Sequence, residues 1–178
     1  MNTEKTKIVI TGHTSGIGLA LYNHFKDNYN CIGCSLSTGY DIANVEAREK
    51  IVKLTKDCAV FINNAYSDTV VDSQLDLLKA VYESCEDKNK IIINISSRIT
   101  EFDNLNDAWL ERYSESKLRQ DQYCRGKQIV NLKLGATDTP RIQWMNVEKL
   151  KTADVVKVVD FILSNYNSFK ITTLTVGA

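Results

Sequence analysis

The chain has 178 residues, in which 22 Lys and Arg balance 22 Asp and Glu, so its formal net charge is zero. A balanced charge without basic clusters removes the electrostatic argument for nucleic acid or an anionic membrane as a partner. Apolar residues make up 43% of the chain, which excludes intrinsic disorder and is typical of one globular domain over residues 1–178.

Short apolar runs alternate with amphipathic segments along the chain. The β-branched run at 7–10 predicts a strand, and apolar residues in i, i+4 steps predict a helix at 16–25. The same patterns predict further strands at about 30–35, 58–62, 90–95, 128–134 and 171–176, and helices at about 44–56, 72–86, 110–125 and 153–165. This alternation indicates an α/β fold: a Rossmann-like, doubly wound parallel sheet in three αβα layers.

Small, hydroxyl-bearing and amide residues follow the predicted strands. In a doubly wound sheet, ligands bind beyond the carboxyl ends of the strands. The segments at those ends are 11–18, 35–38, 63–65, 96–97 and 135–139. The sequence therefore predicts a binding site along this rim of the sheet.

Three glycines lie between the first predicted strand and the first predicted helix. At Gly12, Gly16 and Gly18 the missing side chains allow a tight turn and a close approach of the backbone to a pyrophosphate at the helix N-terminus. Their Gly-x3-Gly-x-Gly spacing differs from the usual Gly-x-Gly-x2-Gly fingerprint, and glycine-rich turns also occur without nucleotides. The loop therefore suggests a phosphate site, and this hypothesis depends on support from the other segments of the rim.

Tyr113 and Lys117 are an i, i+4 pair on a predicted helix, so their side chains share a face. An ammonium group nearby lowers the pKa of a phenol toward the range of general acid/base catalysis. Ser97 ends a predicted strand and can donate to a substrate oxygen. Ser96 competes for this role, but strand alternation places it on the opposite face. By itself the Tyr/Lys pair also fits an ordinary solvated helix face.

Five collinear segments together resemble the short-chain dehydrogenase/reductase family. They are Thr11-Gly-His-Thr-Ser-Gly-Ile-Gly18, Asn63-Asn-Ala65, Asn94-Ile-Ser-Ser97, Tyr113-Ser-Glu-Ser-Lys117 and Leu134-Gly-Ala-Thr-Asp-Thr139. They match the family's TGxxxGxG, NNA(G), active-site serine, YxxxK and PGxxxT motifs in order, and they identify the chain as an unusually compact member.

The resemblance implies an NAD(P)(H)-dependent oxidoreductase that transfers hydride between nicotinamide and a carbonyl or secondary alcohol. It assigns general acid/base catalysis to Tyr113, orientation of the carbonyl to Ser97, and both pKa tuning and binding of the nicotinamide ribose to Lys117. The cofactor residues that it implies, besides Tyr113 and Lys117, are Gly12, Thr14, Ser15, Gly16, Ile17, Gly18, Ser35, Ser37, Asp41, Ile42, Asn63, Asn64, Ala65, Gly135, Thr137 and Thr139.

The end of the second strand bears on cofactor choice. A carboxylate there binds the ribose hydroxyls of NAD, but the chain instead carries Ser35, Ser37 and Thr38, which can hydrogen-bond a 2′-phosphate without repelling it. The arginine of many NADP-preferring relatives is absent. We expect NADP(H) to be favoured over NAD(H).

The pair Asp41–Ile42 resembles the family's adenine contact, with a simple turn aspartate as the alternative.

Several positions depart from the family pattern. Tyr66 replaces the glycine after Asn-Asn-Ala, and Leu134 replaces a proline. The helix at 72–86 lacks the family's asparagine, which in relatives bends the helix around a water and continues the proton relay from the lysine. It offers Asp72, Ser73 or Gln74 instead, so proton delivery is expected to be slower or to use another group.

Ile142, Trp144 and Met145 form either an apolar flap over substrate or ordinary packing.

The remaining features fit a cytoplasmic protein without metal. The start of the chain reads as folded structure and not as a signal peptide, and no apolar run is long enough to cross a bilayer. Five scattered cysteines are expected to be reduced thiols, and the Cys31–Cys34 spacing lacks the second pair of a zinc site. His13 and His24 have no partner for a catalytic triad and receive no role.

Two further functions stay open at this point. A dinucleotide-binding regulatory or interaction module with decayed chemistry would explain the missing asparagine and the short segment after Gly135. Epimerisation or dehydration of a sugar nucleotide uses the same residues but a larger C-terminal region than this chain has. Whichever function applies, the family resemblance implies a homodimer or homotetramer that pairs through the helices at 72–86 and 110–125.

Overall fold

The computed structural model describes residues 5–85 and 89–178, and the predicted strands and helices are all present in it. The strands are β1 Lys7–Thr11, β2 Asn30–Cys34, β3 Val60–Asn63, β4 Ile91–Ser97, β5 Val130–Leu134 and β6 Thr173–Val176. The helices are α1 Gly16–Phe25, α2 Val45–Thr55, α3 Ser73–Glu83, α4 Ala108–Cys124 and α5 Thr152–Asn165. Observed ends differ from the predicted ones by a few residues, and position 86, the predicted end of the third helix, lies outside the described residues.

Within those residues the strands form one six-stranded parallel sheet in the order β2-β1-β3-β4-β5-β6. β1 pairs with β2 on one side and with β3 on the other, so the strand order reverses at β1. Such a switch point opens a crevice at the carboxyl ends of the strands. The doubly wound α/β fold predicted from the sequence is confirmed.

Helices cover both faces of the sheet. Ile8 and Ile10 belong to one apolar cluster, with residues of α1 and α5, whereas Val9 belongs to a second cluster with residues of α2, α3 and α4. Because both faces are covered at the centre of the sheet, the central strands β1 and β3 are nearly continuous apolar runs without polar alternation. Each fully buried aliphatic side chain stabilises the fold by about 1.5–3 kcal/mol.

The start of α4 is fixed by a side-chain cap. Asp107 Oδ1 accepts hydrogen bonds from the backbone N–H groups of Trp109 and Leu110, both at 2.9 Å. Such a cap stabilises a helix by about 0.5–2 kcal/mol. Further along α4, Lys117 contacts β4 and is only 2% exposed.

The five cysteines are free thiols, and those at positions 34, 58 and 124 are buried. In the two described ranges, no cluster of three or more His, Cys, Asp or Glu side chains is placed to hold a metal ion. No helix there combines the length and apolar character needed to cross a bilayer.

Candidate active site

A cleft of about 990 Å³ lies above the carboxyl ends of the strands, at the upper end of the range of about 300–1,000 Å³ for small-molecule sites. Its lining includes these residues predicted from the sequence: Gly12, Thr14, Ser15, Gly16, Ile17, Ser35, Asp41, Ile42, Asn64, Ala65, Ser97, Tyr113, Lys117, Gly135, Thr137 and Thr139. Gly18, Ser37 and Asn63 are not part of the lining. Most residues of the predicted rim therefore meet in one cleft.

The glycine loop forms the floor at one end. Gly12 has a φ of +72°, a conformation that favours glycine, and a Cβ on Gly18 would collide with the carbonyl oxygen of Gly12. The loop after β3 is tied to this turn, because Thr11 Oγ1 accepts from the N–H groups of Asn64 and Ala65 at 2.8 and 2.9 Å. α1 then begins at Gly16 with no acidic residue in its first turn, so this backbone fits a pyrophosphate.

Asn63 points away from the cleft into the sheet. Its side-chain amide donates to the backbone oxygen of Gln74 at 3.1 Å and to Asn94 Oδ1 at 3.0 Å. Asn94 in turn donates to Asn131 Oδ1 at 3.0 Å. The first asparagine of the Asn-Asn-Ala segment thus belongs to a buried ladder across β3, β4 and β5, and only the second asparagine lines the cleft.

A small polar cluster follows β2. Ser35 Oγ lies 2.7 Å from His13 Nδ1, and the exposed Ser37 hydroxyl donates to Thr14 Oγ1 at 3.2 Å. Gly33 makes room for the His13 ring, since a Cβ at that position would collide with it, and burial lowers the pKa of His13. No carboxylate occupies the end of this strand, as the sequence indicates.

Asp41 lies on the cleft but also forms a turn. Its Oδ1 accepts from the backbone N–H of Ala43 at 2.9 Å, which is the turn role that the sequence left as an alternative. Asp41 and Ile42 both line the cleft, although Ile42 is 96% buried. The carboxylate keeps a second oxygen for another partner.

At the other end of the cleft, Tyr113 meets the serine that ends β4. The Ser97 side chain lies close enough to the phenol to act on its pKa, and Ser97 Oγ accepts from the backbone N–H of Ile99 at 3.2 Å. The neighbouring Ser96 faces the other way and donates to Asp121 Oδ1 at 2.5 Å. The structure therefore brings Ser97, and not Ser96, to Tyr113.

Lys117 lies at the base of this end, almost completely buried. Its Nζ donates to Gln74 Oε1 at 2.7 Å and to the backbone oxygen of Ile95 at 2.8 Å, and lies 5.4 Å from the centroid of the Tyr113 ring. Burial lowers the pKa of Lys117 to about 7, against the opposing effect of Asp121. Near neutral pH, this amine is close to equally charged and neutral.

Burial dominates the titration of Tyr113 as well and raises its pKa to about 12, while Arg141 and the nearby Ser97 side chain act in the opposite direction. The expectation that Lys117 would bring the pKa of Tyr113 down is thus reversed. The physical reason is that desolvation of the phenolate outweighs nearby charge, and that burial also disfavours the charged form of Lys117, whose amine is hydrogen-bonded to Gln74 and Ile95.

An aromatic and ionic cluster surrounds Tyr113 that the sequence analysis did not predict. The Trp109 ring stacks on Tyr113 at a centroid distance of 5.2 Å, and Tyr66 meets it edge-on at 4.9 Å. Asp68 accepts from Trp109 Nε1 at 3.0 Å and pairs with Arg141 at 2.9 Å. The sequence held one signal for this cluster, the i−4 spacing that puts Trp109 on the same helix face as Tyr113. Asp68 and Arg141 are 73 positions apart in sequence, so no local pattern predicts that they pair.

The segment after β5 covers the same end of the cleft. Ile142 and Met145 belong to the lining, whereas Trp144 is 61% exposed and packs edge-on against Trp109 with ring centroids 6.4 Å apart. A parallel bridge between Thr137 and Leu150 closes the base of this segment. Two of the three residues of the predicted flap therefore face the cleft.

The three residues offered in place of the family's asparagine have different roles. Asp72 pairs with Arg119 at 2.9 Å. Ser73 is buried, and its hydroxyl has no hydrogen-bond partner within the described part of the chain. Gln74 is the one that contacts Lys117.

No protein-family model and no curated protein matches the chain, but solved structures share its fold. It is similar to a 3-alpha-hydroxysteroid dehydrogenase from a Pseudomonas species complexed with NADH, with a TM-score of 0.78 and 17% identity, over 97% of this chain and 95% of that one. A 3-ketoacyl-(acyl-carrier-protein) reductase from Brucella melitensis complexed with NADH has a TM-score of 0.77 and 17% identity, over 98% and 97%.

A short-chain dehydrogenase from Burkholderia cenocepacia in complex with NADP is similar at a TM-score of 0.73 and 17% identity, over 100% of this chain and 90% of that one. At such low identity, these similarities establish a shared fold. The chain has the fold of short-chain dehydrogenases, as the sequence resemblance predicted.

Proposed function

We propose that the protein is an NADP(H)-dependent oxidoreductase of the short-chain dehydrogenase/reductase family that acts on a carbonyl or secondary alcohol. The observation that carries this proposal is the meeting of Ser97, Tyr113 and Lys117 at one end of a cleft whose other end is a glycine loop. When bound, the nicotinamide dinucleotide supplies or accepts the hydride. Gly12, Gly16 and Asn64 would hold its phosphates and Lys117 its nicotinamide ribose.

Tyr113 acts in this proposal as the acid of the reductive direction. Because burial raises its pKa to about 12, the phenol carries its proton at neutral pH and can donate it to the oxygen of a carbonyl as that oxygen gains charge. Ser97, which lies beside Tyr113 at the end of β4, orients the same oxygen. In the oxidative direction the phenol must first lose its proton, so we expect oxidation to need alkaline conditions.

The preference for NADP(H) is supported by the cluster at the end of β2. Ser35, with His13 beside it at 2.7 Å, and Thr14, which accepts from the Ser37 hydroxyl at 3.2 Å, line this end of the cleft and offer hydrogen-bonding groups and no carboxylate to a 2′-phosphate. A phosphate carries acceptor oxygens only, so hydroxyl and imidazole N–H donors suit it.

The substrate end of the cleft is mainly apolar. Its lining includes Phe102, Leu105, Leu110, Ile142 and Met145, and the charge of Arg141 is paired with Asp68. Apolar side chains around a few polar groups are typical of sites for uncharged small molecules. We therefore propose an apolar aldehyde or ketone, or the corresponding alcohol, as the substrate.

The protein is first titrated with NADPH and with NADH, and binding is monitored by the fluorescence of Trp109, which stacks on Tyr113, and of Trp144 beside it. A panel of apolar and of carboxylated carbonyl compounds is then screened for loss of the reduced-nicotinamide absorbance. We expect tighter binding of NADPH, and turnover of apolar compounds that Tyr113→Phe abolishes. Absence of binding to either nucleotide would overturn the proposal.

The second candidate is a dinucleotide-binding module without turnover, which the crowding of Tyr113 between the rings of Trp109 and Tyr66 favours. Binding without turnover across the panel, with identical binding by Tyr113→Phe, would support it.

We also propose that the protein works in the cytoplasm, where its thiols stay reduced, as a homodimer or homotetramer that pairs through α3 and α4. Leu118 on α4 is 41% exposed and offers apolar surface for such an interface. Light scattering that gives the mass of a monomer would contradict the oligomer.

A further inference from the structure

Gln74 is a completely buried glutamine whose side chain meets Lys117 from the neighbouring helix. Its Oε1 accepts from Lys117 Nζ at 2.7 Å, which is the shorter of the two hydrogen bonds that the amine makes. The backbone oxygen of Ile95 accepts the other at 2.8 Å. An ammonium group has three N–H donors, so one is left for a partner in the cleft that Lys117 lines.

The orientation of the Gln74 amide is fixed by its other end. Its Nε2 donates to the backbone oxygens of Asn63 at 2.9 Å and Ile95 at 3.2 Å. Two carbonyl oxygens can be satisfied only by the NH2 group, so the amide oxygen has to face Lys117. The strands β3 and β4 therefore hold Gln74 in the one orientation that offers Lys117 an acceptor.

A neutral dipole, and not a carboxylate, is thus the side-chain partner of this buried amine. The titratable and charged groups around Lys117 are Tyr113, Asp121 and Cys124 on α4, Tyr66 after β3 and Arg141 after β5. Asp121 is the acid among them, and its oxygens are engaged by Ser96, Asn131, Thr100 and Lys133. It acts on Lys117 through space only.

We propose that Gln74 is the positioning residue of Lys117: its amide oxygen directs the amine toward the cleft and stabilises the ammonium form without fixing the proton there. A carboxylate at this position would keep Lys117 protonated at neutral pH, and an apolar side chain would favour the neutral amine. With Gln74, Lys117 can either carry or release a proton at neutral pH. Its importance for turnover rests on the proposed function, whereas its effect on the amine does not.

The first test uses the wild-type protein without cofactor. Lysine labelled with ¹³C at Cε and glutamine labelled at Cδ are followed by NMR from pH 5 to pH 9, and the Lys117 signal is assigned by its loss in Lys117→Met. We expect the Gln74 Cδ shift to titrate with the same midpoint as Lys117 Cε. A Gln74 signal that ignores the titration of Lys117 would overturn the proposal.

The second test removes the dipole at nearly constant volume. In Gln74→Leu and Gln74→Met, the midpoint of Lys117 should fall by about one pH unit, because the ammonium loses its best acceptor while staying buried. Gln120→Leu is the matched control: Gln120 is equally buried and reaches the same Gln74 oxygen at 3.4 Å, so its loss costs stability without moving the midpoint. An unmoved midpoint in either folded Gln74 variant would contradict the proposed role.

The enzymatic consequence is measured with a substrate from the carbonyl screen. In Gln74→Leu the alkaline limb of the reduction rate should move to lower pH in parallel with the Lys117 midpoint, with kcat lowered more than KM is changed. Failure of NADPH to bind would overturn the proposed function and leave the titration result standing. Normal turnover with an unmoved Lys117 midpoint would overturn the proposed role of Gln74 and leave the proposed function standing.

Discussion

In the half of the cleft above β1 and β2, the backbone decides what can bind: Gly12 needs its positive φ, and Gly18 packs directly on the carbonyl of Gly12. In the half above β4, side chains from α3, α4, the end of β4 and the segments after β3 and β5 meet around Tyr113 and Lys117. The first half depends on absent side chains at local positions. The second depends on contacts between distant residues, so the two halves should respond differently to substitution.

Tyr113→Phe tests the side-chain half with the largest expected effect. Loss of a positioned acid should lower the rate of carbonyl reduction by about 10²–10⁴-fold, because phenylalanine has no proton to donate. NADPH binding, which in this proposal depends on the glycine loop and on Lys117, should stay near that of the wild type. Both are measured by reduced-nicotinamide absorbance and fluorescence titration.

The matched control for that variant is Tyr123→Phe, on the same helix but packed against Tyr82 outside the cleft lining. Equal rates for Tyr113→Phe and the wild type would remove Tyr113 from the chemistry.

The buried charge of Lys117 predicts a stability that depends on pH. Its pKa of about 7 in the folded state is below the ordinary 10.5, so between these values the unfolded chain binds the extra proton. The free energy of unfolding of the wild type, relative to Lys117→Met, should therefore rise by about 1.4 kcal/mol per pH unit from pH 7 to pH 9 and stay level below pH 7. Urea titrations at several pH values measure it.

Lys53→Met, at an exposed position of α2, controls for the loss of one lysine. A difference between Lys117→Met and the wild type that stays level from pH 7 to pH 9 would show that Lys117 remains charged in the folded protein.

Gly12→Ala tests the backbone half. A Cβ there would lie 2.8 Å from Asn64 Nδ2 and 3.3 Å from the Cα of Ala65, so the loop must shift and NADPH affinity should fall by at least about tenfold, or 1.4 kcal/mol. Gly126→Ala is the matched control, because Gly126 has the same φ of +72° with open space around it. Equal NADPH affinity in both variants would mean that the loop does not bind the cofactor.

Ser35→Asp is expected to have the smallest of these effects. A carboxylate at the end of β2 repels a 2′-phosphate and accepts from a ribose hydroxyl, so NADPH affinity should fall by about tenfold relative to NADH. Ser168→Asp, in the loop after α5, controls for the added charge. Equal loss of both cofactors would indicate a steric effect and not selection at this strand end.

The amino-acid sequence by itself determined the order of strands and helices, the glycine loop and the pairing of Tyr113 with Lys117 on one helix. These features are local: apolar periodicity, missing side chains and i, i+4 spacing are set within a few residues. The same locality explains why Ser97 could be separated from Ser96 by strand alternation.

Only the tertiary structure decided the environment of those residues. Asp68 and Arg141 reach Tyr113 and Lys117 from segments far away in the chain, and no local pattern marks them. Gln74 was one of three candidates on its helix, and only the fold shows that it is the one that contacts Lys117. Burial, which also depends on the whole fold, reversed the expected direction of the pKa of Tyr113. Desolvation and long-range contacts are properties of the assembled sheet and helices, and for that reason the sequence could point to the proposed reacting groups but not to their protonation.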